Sequence, residues 1–170
     1  MTTGPTAFVF AGGGSLGAVQ VGMLRALVEA GLRPDFVVGS SAGAINAAYF
    51  AGAPDLDGVA RLERIWSGLK RADIFPVSWS HIVRLLRRPD YIVEPDGLRR
   101  LIETHLHFQN FEDARLPLHI MATDQQGMSV RLSSGSVMDA ILASAAIPGV
   151  FPTVPIGGRH LMDGAIAANT

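Results

Sequence analysis

A serine among small residues lies where an apolar run gives way to a helix-forming run. Residues 39–43 read Gly-Ser-Ser-Ala-Gly and match the pattern G-x-S-x-G, with apolar residues 36–38 before them and a small-residue segment after them. This strand-to-helix setting is the context in which the pattern forms a nucleophile elbow. Gly39 and Gly43 allow a sharp backbone turn, so we expect the Ser41 hydroxyl to stand free at the carboxyl edge of a sheet. The alternative is a tight turn in which serine caps the following helix.

A second group of small residues, the glycines at positions 12, 13, 14 and 17, follows the apolar run 7–10 and opens the first predicted helix. Consecutive glycines can adopt positive φ and direct several N–H groups toward one point. Such a nest can bind phosphate, or it can stabilise the oxyanion of acyl transfer together with the amide of Ala42 at the next helix start. A structural loop without a ligand is the third interpretation.

The glycine loop also matches G-x-G-x-x-G, the dinucleotide-binding fingerprint. That site requires an acidic residue at the end of the second strand, where it binds the ribose. Asp35 lies at the beginning of the predicted second strand, and the end of that strand carries Ser41. We therefore favour an oxyanion hole, with the N–H groups of Gly13 and Gly14 pointing at the substrate carbonyl.

A serine nucleophile needs a base, and the sequence offers histidines and aspartates. None of the five histidines follows Asp163, so an order of serine, Asp163 and then histidine does not occur in this chain. A triad of Ser41 and His160 with Asp124 or Asp139 remains open. Alternatively, Asp163 lies just past a short apolar run and precedes two small residues, where its carboxylate could take the serine proton directly. An Asx-type turn would explain the same Asp-Gly pair.

Apolar periodicity predicts an α/β domain with a parallel sheet. The two N-terminal strands are joined through a helix, a connection typical of parallel strands covered on both faces. Predicted strands cover 7–10, 36–38, 118–122, 128–132 and 160–162, and predicted helices cover 18–30, 42–51, 56–69, 96–106 and 137–146. The 170 residues are 48% hydrophobic and 17% charged, so a packed core is expected. A net charge of −1 disfavours nucleic-acid binding, and the lack of cysteine excludes disulfides and thiolate sites.

The glycine loop, the serine elbow and the late Asp-Gly-Ala, in this order, together resemble the patatin-like phospholipases. The segment 143–152 also looks like the family's approach to its catalytic aspartate. The resemblance implies a three-layer α/β/α fold, with a mostly parallel central sheet flanked by helices on both faces, over a single domain at 1–170. It further implies hydrolysis of acyl lipids by a Ser41–Asp163 dyad through an acyl-enzyme, with Gly12, Gly13 and Gly14 as oxyanion hole and without metal or cofactor.

Two departures from the family's pattern concern the site and its surroundings. Leu16 stands where many members carry a basic residue, which puts rate and substrate range in doubt, whereas Ala165 in place of glycine is a variation that the family shows. The chain ends soon after Asp163, where bacterial relatives usually continue, so we expect a shortened domain. A general esterase or thioesterase, a nucleotide-binding module and a silent lipid-binding protein are the alternatives.

The segment from Trp79 to Arg88 alternates apolar residues with arginines. A short basic amphipathic helix beside a tryptophan fits peripheral contact with a membrane, although an ordinary surface helix has the same pattern. Because the N-terminus lacks the features of a signal peptide and no apolar run is long enough to span a bilayer, we expect a cytoplasmic protein, peripheral at most.

Overall fold

The computed structural model describes residues 4–70 and 95–167, and a six-stranded sheet forms the centre of this part. Its strands are β1 (Ala7–Phe10), β2 (Phe36–Ser40), β3 (Leu118–Asp124), β4 (Ser129–Leu132), β5 (Val154–Ile156) and β6 (Arg159–Asp163). The described helices are α1 (Gly17–Glu29), α2 (Ala42–Gly52), α3 (Leu56–Gly68), α4 (Asp96–His105) and α5 (Val137–Ser144). Short 3-10 turns occupy Gly14–Leu16, Phe111–Asp113 and Gly164–Ile166.

The sheet is parallel at its centre and antiparallel beyond it. The strand order is β1-β2-β3-β6-β5, with β4 paired to β3 outside this path. β1 and β3 both run parallel to β2, whereas β4 and β6 run antiparallel to β3 and β5 runs antiparallel to β6. The predicted class, α/β with a sheet mostly parallel at its core and flanked by helices, is confirmed.

β2 and β6 lie end to end along the same edge of β3. Residues 120 and 121 of β3 pair with both β2 and β4, and residues 122 and 123 pair with both β4 and β6. A strand has only two edges, so β4 takes one and β2 and β6 share the other. Ser40 pairs with Met121 and Asp163 pairs with Ala122, the next residue of β3. The carboxyl ends of β2 and β6 therefore meet head-on.

The main core lies between the sheet and the helices that follow its strands. Helix α2 is buried from Ala42 to Ala51, as its lack of charged residues predicts, and Phe50 stacks on Phe8 of β1 with ring centroids 6.2 Å apart. A Cβ atom on Gly39 would lie 2.6 Å from the Cα of Ala44, so glycine lets α2 approach β2 closely. On the opposite face of β1, Val9 is 54% exposed.

Helix starts follow their capping residues. The Asp55 carboxylate accepts a hydrogen bond from the Gly58 amide at 2.8 Å and so caps α3, and the Ser136 hydroxyl caps α5. Described helices agree with the predicted ones to within two residues at each end. β5 was not predicted, because Pro155 interrupts a three-residue edge strand whose short apolar pattern carries little signal.

The basic segment from Trp79 to Arg88 lies outside the described residues, so peripheral membrane contact through it stays a prediction. Among the residues that are described, every helix is too short or too polar to reach across a bilayer.

Candidate active site

Ser41 has an unusual backbone conformation at the junction of β2 and α2. Its φ is 53°, a positive angle that residues other than glycine rarely adopt, and its ψ is −123°. Such a conformation costs about 1–3 kcal/mol and persists only where surrounding contacts impose it. The side chain makes no capping hydrogen bond to α2, in contrast to the helix-cap alternative. The hydroxyl is therefore directed away from the helix.

The partner of the Ser41 hydroxyl is Asp163. Ser41 Oγ donates to Asp163 Oδ2 at 2.7 Å, across 122 residues of sequence, and both residues are buried. The other carboxylate oxygen, Oδ1, accepts from the Ala165 amide at 2.8 Å. One carboxylate oxygen of Asp163 therefore makes the Asx-type turn, and the other accepts the hydrogen bond from Ser41.

The backbone of Asp163 is held on both sides as well. Its carbonyl accepts a hydrogen bond from the Thr123 hydroxyl at 2.8 Å, and its amide donates to the Ala146 carbonyl at 3.0 Å. These bonds join β6 to β3 and to the segment just after α5. The carboxylate consequently has a fixed position relative to Ser41.

The alternative triad that the sequence left open is not assembled. His160 Nδ1 lies 3.3 Å from the hydroxyl of Thr153, and the Asp124 carboxylate accepts the amides of Gln126 and Met128 within its own turn. None of the four histidines in the described ranges is hydrogen-bonded to Ser41.

The glycine loop packs directly on the nucleophile. A Cβ atom on Gly12 would lie 3.3 Å from the Cβ of Ser41 and 2.9 Å from that of Ala165. Gly13 and Gly14 adopt positive φ values of 145° and 58°, as the nest interpretation expects. The start of the loop, at Gly12, therefore lies against both Ser41 and the residue two positions after Asp163.

The acidic residue of the dinucleotide alternative is used elsewhere. Asp35 Oδ2 accepts the Thr6 amide at 2.7 Å and so fixes the beginning of β1. This contact lies at the amino end of the parallel strands, away from the glycine loop at their carboxyl end. Asp35 is therefore not placed to bind a ribose beside the glycine loop.

The remaining elbow residues explain how α2 can start so close to β1. A Cβ atom on Gly43 would lie 2.1 Å from the carbonyl oxygen of Phe10. Only glycine allows this approach, which places the first turn of α2 beside the start of the glycine loop. Gly39 and Gly43 are thus both at points of close backbone contact.

Sequence reasoning missed Ser144, a fully buried residue at the end of α5. Its hydroxyl accepts a hydrogen bond from the Ser41 amide at 2.8 Å and donates one to the Met121 carbonyl at 2.6 Å. The Ser41 N–H is therefore engaged, and any oxyanion must be stabilised by other amides. The available signal was weak: Ser144 is a hydroxyl residue in an apolar, small-residue helix.

The sequence model of the family described as "Patatin-like phospholipase" matches residues 8–170, nearly the whole chain. The chain belongs to the patatin-like phospholipase family. Among its relatives, this patatin-like chain is 31% identical to a putative patatin-like phospholipase domain-containing protein of Caenorhabditis elegans over 99% of its own length. It is 33% identical to an uncharacterized NTE family protein of Mycobacterium tuberculosis over 95% of its length.

A solved structure shares the fold of this chain at lower sequence identity. VipD from Legionella pneumophila superposes with a TM-score of 0.61 at 18% identity, over 99% of this chain and 47% of that one. The chain spans 15% of the Caenorhabditis protein and 26% of the Mycobacterium protein. These relatives therefore contain much sequence that this chain does not match.

Proposed function

We propose that this patatin-like chain is a serine hydrolase that cleaves the fatty-acyl ester bonds of phospholipids or other acyl lipids. The observation that carries the proposal is the 2.7 Å hydrogen bond from the strained Ser41 to the buried Asp163, beneath the glycine loop. Family membership supports a lipid acyl hydrolase, and the geometry supports a dyad mechanism.

In the first half-reaction, Ser41 Oγ forms a bond to the ester carbonyl carbon while its proton moves to Asp163 Oδ2. The carbonyl oxygen becomes an oxyanion, and the tetrahedral centre then collapses with cleavage of the bond to the alcohol. Asp163 returns its proton to the departing alcohol oxygen. The products are the free alcohol and an acyl ester on Ser41.

In the second half-reaction, water takes the place of the alcohol. Asp163 accepts a proton from the water as its oxygen bonds to the acyl carbon, and the bond to Ser41 Oγ breaks. The serine oxygen takes up the proton, which leaves a free fatty acid. The Ala165 amide, which binds Oδ1, keeps Oδ2 facing the reacting groups in both halves.

Oxyanion stabilisation falls to the glycine loop, because the Ser41 amide is already bonded to Ser144. Gly12 packs against Ser41, and we expect the N–H groups of Gly12, Gly13 and Gly14 to face the substrate carbonyl. The Ala42 amide at the start of α2 adds the positive end of a helix dipole. Loss of one such donor typically costs about 100- to 1,000-fold in rate.

A fluorophosphonate probe with a lipid-like chain tests the nucleophile. Wild-type protein should be labelled on Ser41, and Ser41→Ala should fold normally and remain unlabelled. If Ser41→Ala were still labelled, or wild-type protein were not, the proposed nucleophile would be wrong.

The proposed base is tested with Asp163→Asn, which preserves the shape of the side chain. Loss of the proton acceptor should lower kcat for a lysophospholipid or a p-nitrophenyl ester by at least about 100-fold. His160→Gln is the matched control and should retain wild-type turnover. A panel of phospholipids, lysophospholipids, simple esters and thioesters separates the lipid hydrolase from a general esterase or thioesterase.

A further inference from the structure

The glycine loop is attached at both of its ends to one side-chain network. Before the loop, the Ala11 carbonyl accepts a hydrogen bond from Gln20 Nε2 at 2.7 Å. After the loop, the Gly17 carbonyl accepts one from Asn46 Nδ2 at 2.9 Å. Asn46 Nδ2 also donates to Gln20 Oε1 at 3.1 Å and so joins the two attachments. Residues 12–16 thus lie between two backbone carbonyls, those of Ala11 and Gly17, that are hydrogen-bonded to this network.

Asn46 lies on α2, five positions after Ser41, and is completely buried. Both of its Nδ2 contacts serve this network, and its Oδ1 accepts the indole N–H of Trp66 at 2.8 Å. A buried amide with satisfied donors and acceptor has a fixed orientation, since any rotation would leave polar atoms unpaired. The same rigid helix therefore carries the nucleophile and the anchor of the glycine loop.

Trp66 packs against the far end of the loop and also donates a hydrogen bond to Asn46, which binds that end. A Cβ atom on Gly17 would lie 2.5 Å from the indole ring, so the ring lies directly against the backbone at this point. The loop itself contains Gly13 and Gly14 in conformations that glycine adopts easily and leaves easily. Contacts at its two ends therefore help to fix its position, in addition to the packing of Gly12 on Ser41 and Ala165.

We propose that Asn46 and Gln20 are positioning residues for the oxyanion hole: they set the distance between the glycine-loop amides and Ser41. This inference rests on the proposed hydrolase function. Hydrogen bonds to an oxyanion form fully only in the transition state and depend steeply on distance. An unanchored loop would still admit the substrate, but its amides would be displaced from the developing charge.

Gln20→Met is the first test, because Gln20 is only half-buried and methionine preserves the length of the side chain. The variant loses the bond to Ala11 and the contact with Asn46. We expect kcat to fall by about 10- to 100-fold, the range associated with small displacements of catalytic groups. KM should stay close to the wild-type value, since the lost interaction acts in the transition state alone.

Gln20→Glu separates the two contacts of this side chain. The carboxylate can still accept from Asn46 Nδ2, but it cannot donate to the Ala11 carbonyl. We expect the same loss of kcat as in Gln20→Met. This variant also guards against the case in which Gln20→Met fails to fold.

Tyr49→Phe, on the helix that carries Asn46, is the control for the loss of one side-chain-to-backbone hydrogen bond. Tyr49 lies on α2, three residues after Asn46, and its hydroxyl donates to the Leu101 carbonyl of α4 at 3.0 Å, a contact that involves neither Gln20 nor the glycine loop. The variant loses a side-chain-to-backbone hydrogen bond, as Gln20→Met does, and should show a comparable decrease in Tm. Its kcat and KM should remain at wild-type values.

A trifluoromethyl ketone with a fatty-acyl chain gives an independent measurement, because its adduct with Ser41 carries an oxyanion. The affinity of Gln20→Met for this inhibitor should fall by the same factor as kcat/KM, while a non-reactive fatty amide should bind unchanged. Wild-type kcat in both Gln20 variants, or equal losses of kcat in Tyr49→Phe, would overturn the inference. Absence of turnover and of fluorophosphonate labelling in wild-type protein would instead reject the hydrolase proposal itself.

Discussion

Gly43→Ala adds a single methyl group where α2 passes the end of β1. The new Cβ atom would lie 2.1 Å from the carbonyl oxygen of Phe10 and 2.6 Å from that of Ala11. Ordinary carbon–oxygen contacts are about 3.3 Å or longer. The obstructing atoms belong to the main chain at the end of β1 and just after it, so they cannot move away by a side-chain rotation. Helix α2 would have to retreat by about 1 Å.

Two opposing effects determine the stability of this variant. Overpacking of a core costs about 1–3 kcal/mol, and rigid main-chain neighbours place this case at the upper end. Replacing glycine by alanine within a helix returns about 0.5–1 kcal/mol. The steric cost is larger than the helix gain, so the free energy of unfolding should fall by about 2 kcal/mol or more. For a domain of this size, that loss lowers Tm by roughly 4–8 °C.

Gly22→Ala is the control for the helix term. Gly22 lies within α1, and a Cβ atom there would meet no other atom within 4 Å. This variant should therefore gain about 0.5–1 kcal/mol, which is a rise in Tm of roughly 1–4 °C. Urea unfolding monitored by circular dichroism measures both changes, and the m-value should be the same for all three proteins.

Activity provides the second readout. Retreat of α2 moves Ser41 relative to Asp163 and the glycine loop, so Gly43→Ala should lose about 100-fold in kcat at temperatures where it is fully folded. Gly22→Ala should keep wild-type kcat. A Gly43→Ala protein with wild-type stability and turnover would refute the claim that close contact between α2 and β1 sets the elbow.

Two further predictions concern Ser144, beside the site, and His119, a half-buried residue of β3. Ser144→Ala removes the hydrogen-bond partner of both the Ser41 amide and the Met121 carbonyl, so the free energy of unfolding in urea should fall by about 2–3 kcal/mol. The backbone at Ser41 should also relax, which would lower the rate of fluorophosphonate labelling at Ser41. An unchanged labelling rate would show that other contacts hold the Ser41 backbone. Burial, and to a lesser extent the charge of Arg131, lowers the pKa of His119. The unfolded chain then binds more protons, so the stability contributed by neutral His119 is complete above pH about 6.5 and is lost as the pH falls through the lowered pKa. His119→Gln should flatten this part of the curve of unfolding free energy against pH, and an unchanged curve would contradict the assignment.

Sequence patterns predicted the elements that carry the site because local chemistry determines them. The glycine loop and the elbow each lie between a short apolar run and a helix, and the positive φ angles at Gly13 and Gly14 follow from residue type. The expectation that Asp163 would lie near Ser41 came from motif order and resemblance. Spacing alone could not supply it, since the two residues meet only through their separate pairings with β3.

The residues that support the site were not predictable in the same way. Ser144 bonds to the Ser41 amide across 103 residues, and Asn46 contacts Gly17 across 29. Each is a polar residue in an apolar helix, a pattern that indicates burial but does not identify a partner. Which backbone groups they bind depends on how helices pack on the sheet, and periodicity does not contain that information.

The head-on meeting of β2 and β6 on β3 has a consequence for the timing of activity. Under the proposed dyad, a growing polypeptide on the ribosome acquires its nucleophile early and its base only 122 residues later. Lipolysis must wait until the hairpin of β5 and β6 has docked. If that hairpin detaches while the first three strands stay paired, turnover stops although most ellipticity remains. The rate of hydrolysis would thus report whether β5 and β6 are paired with the rest of the sheet.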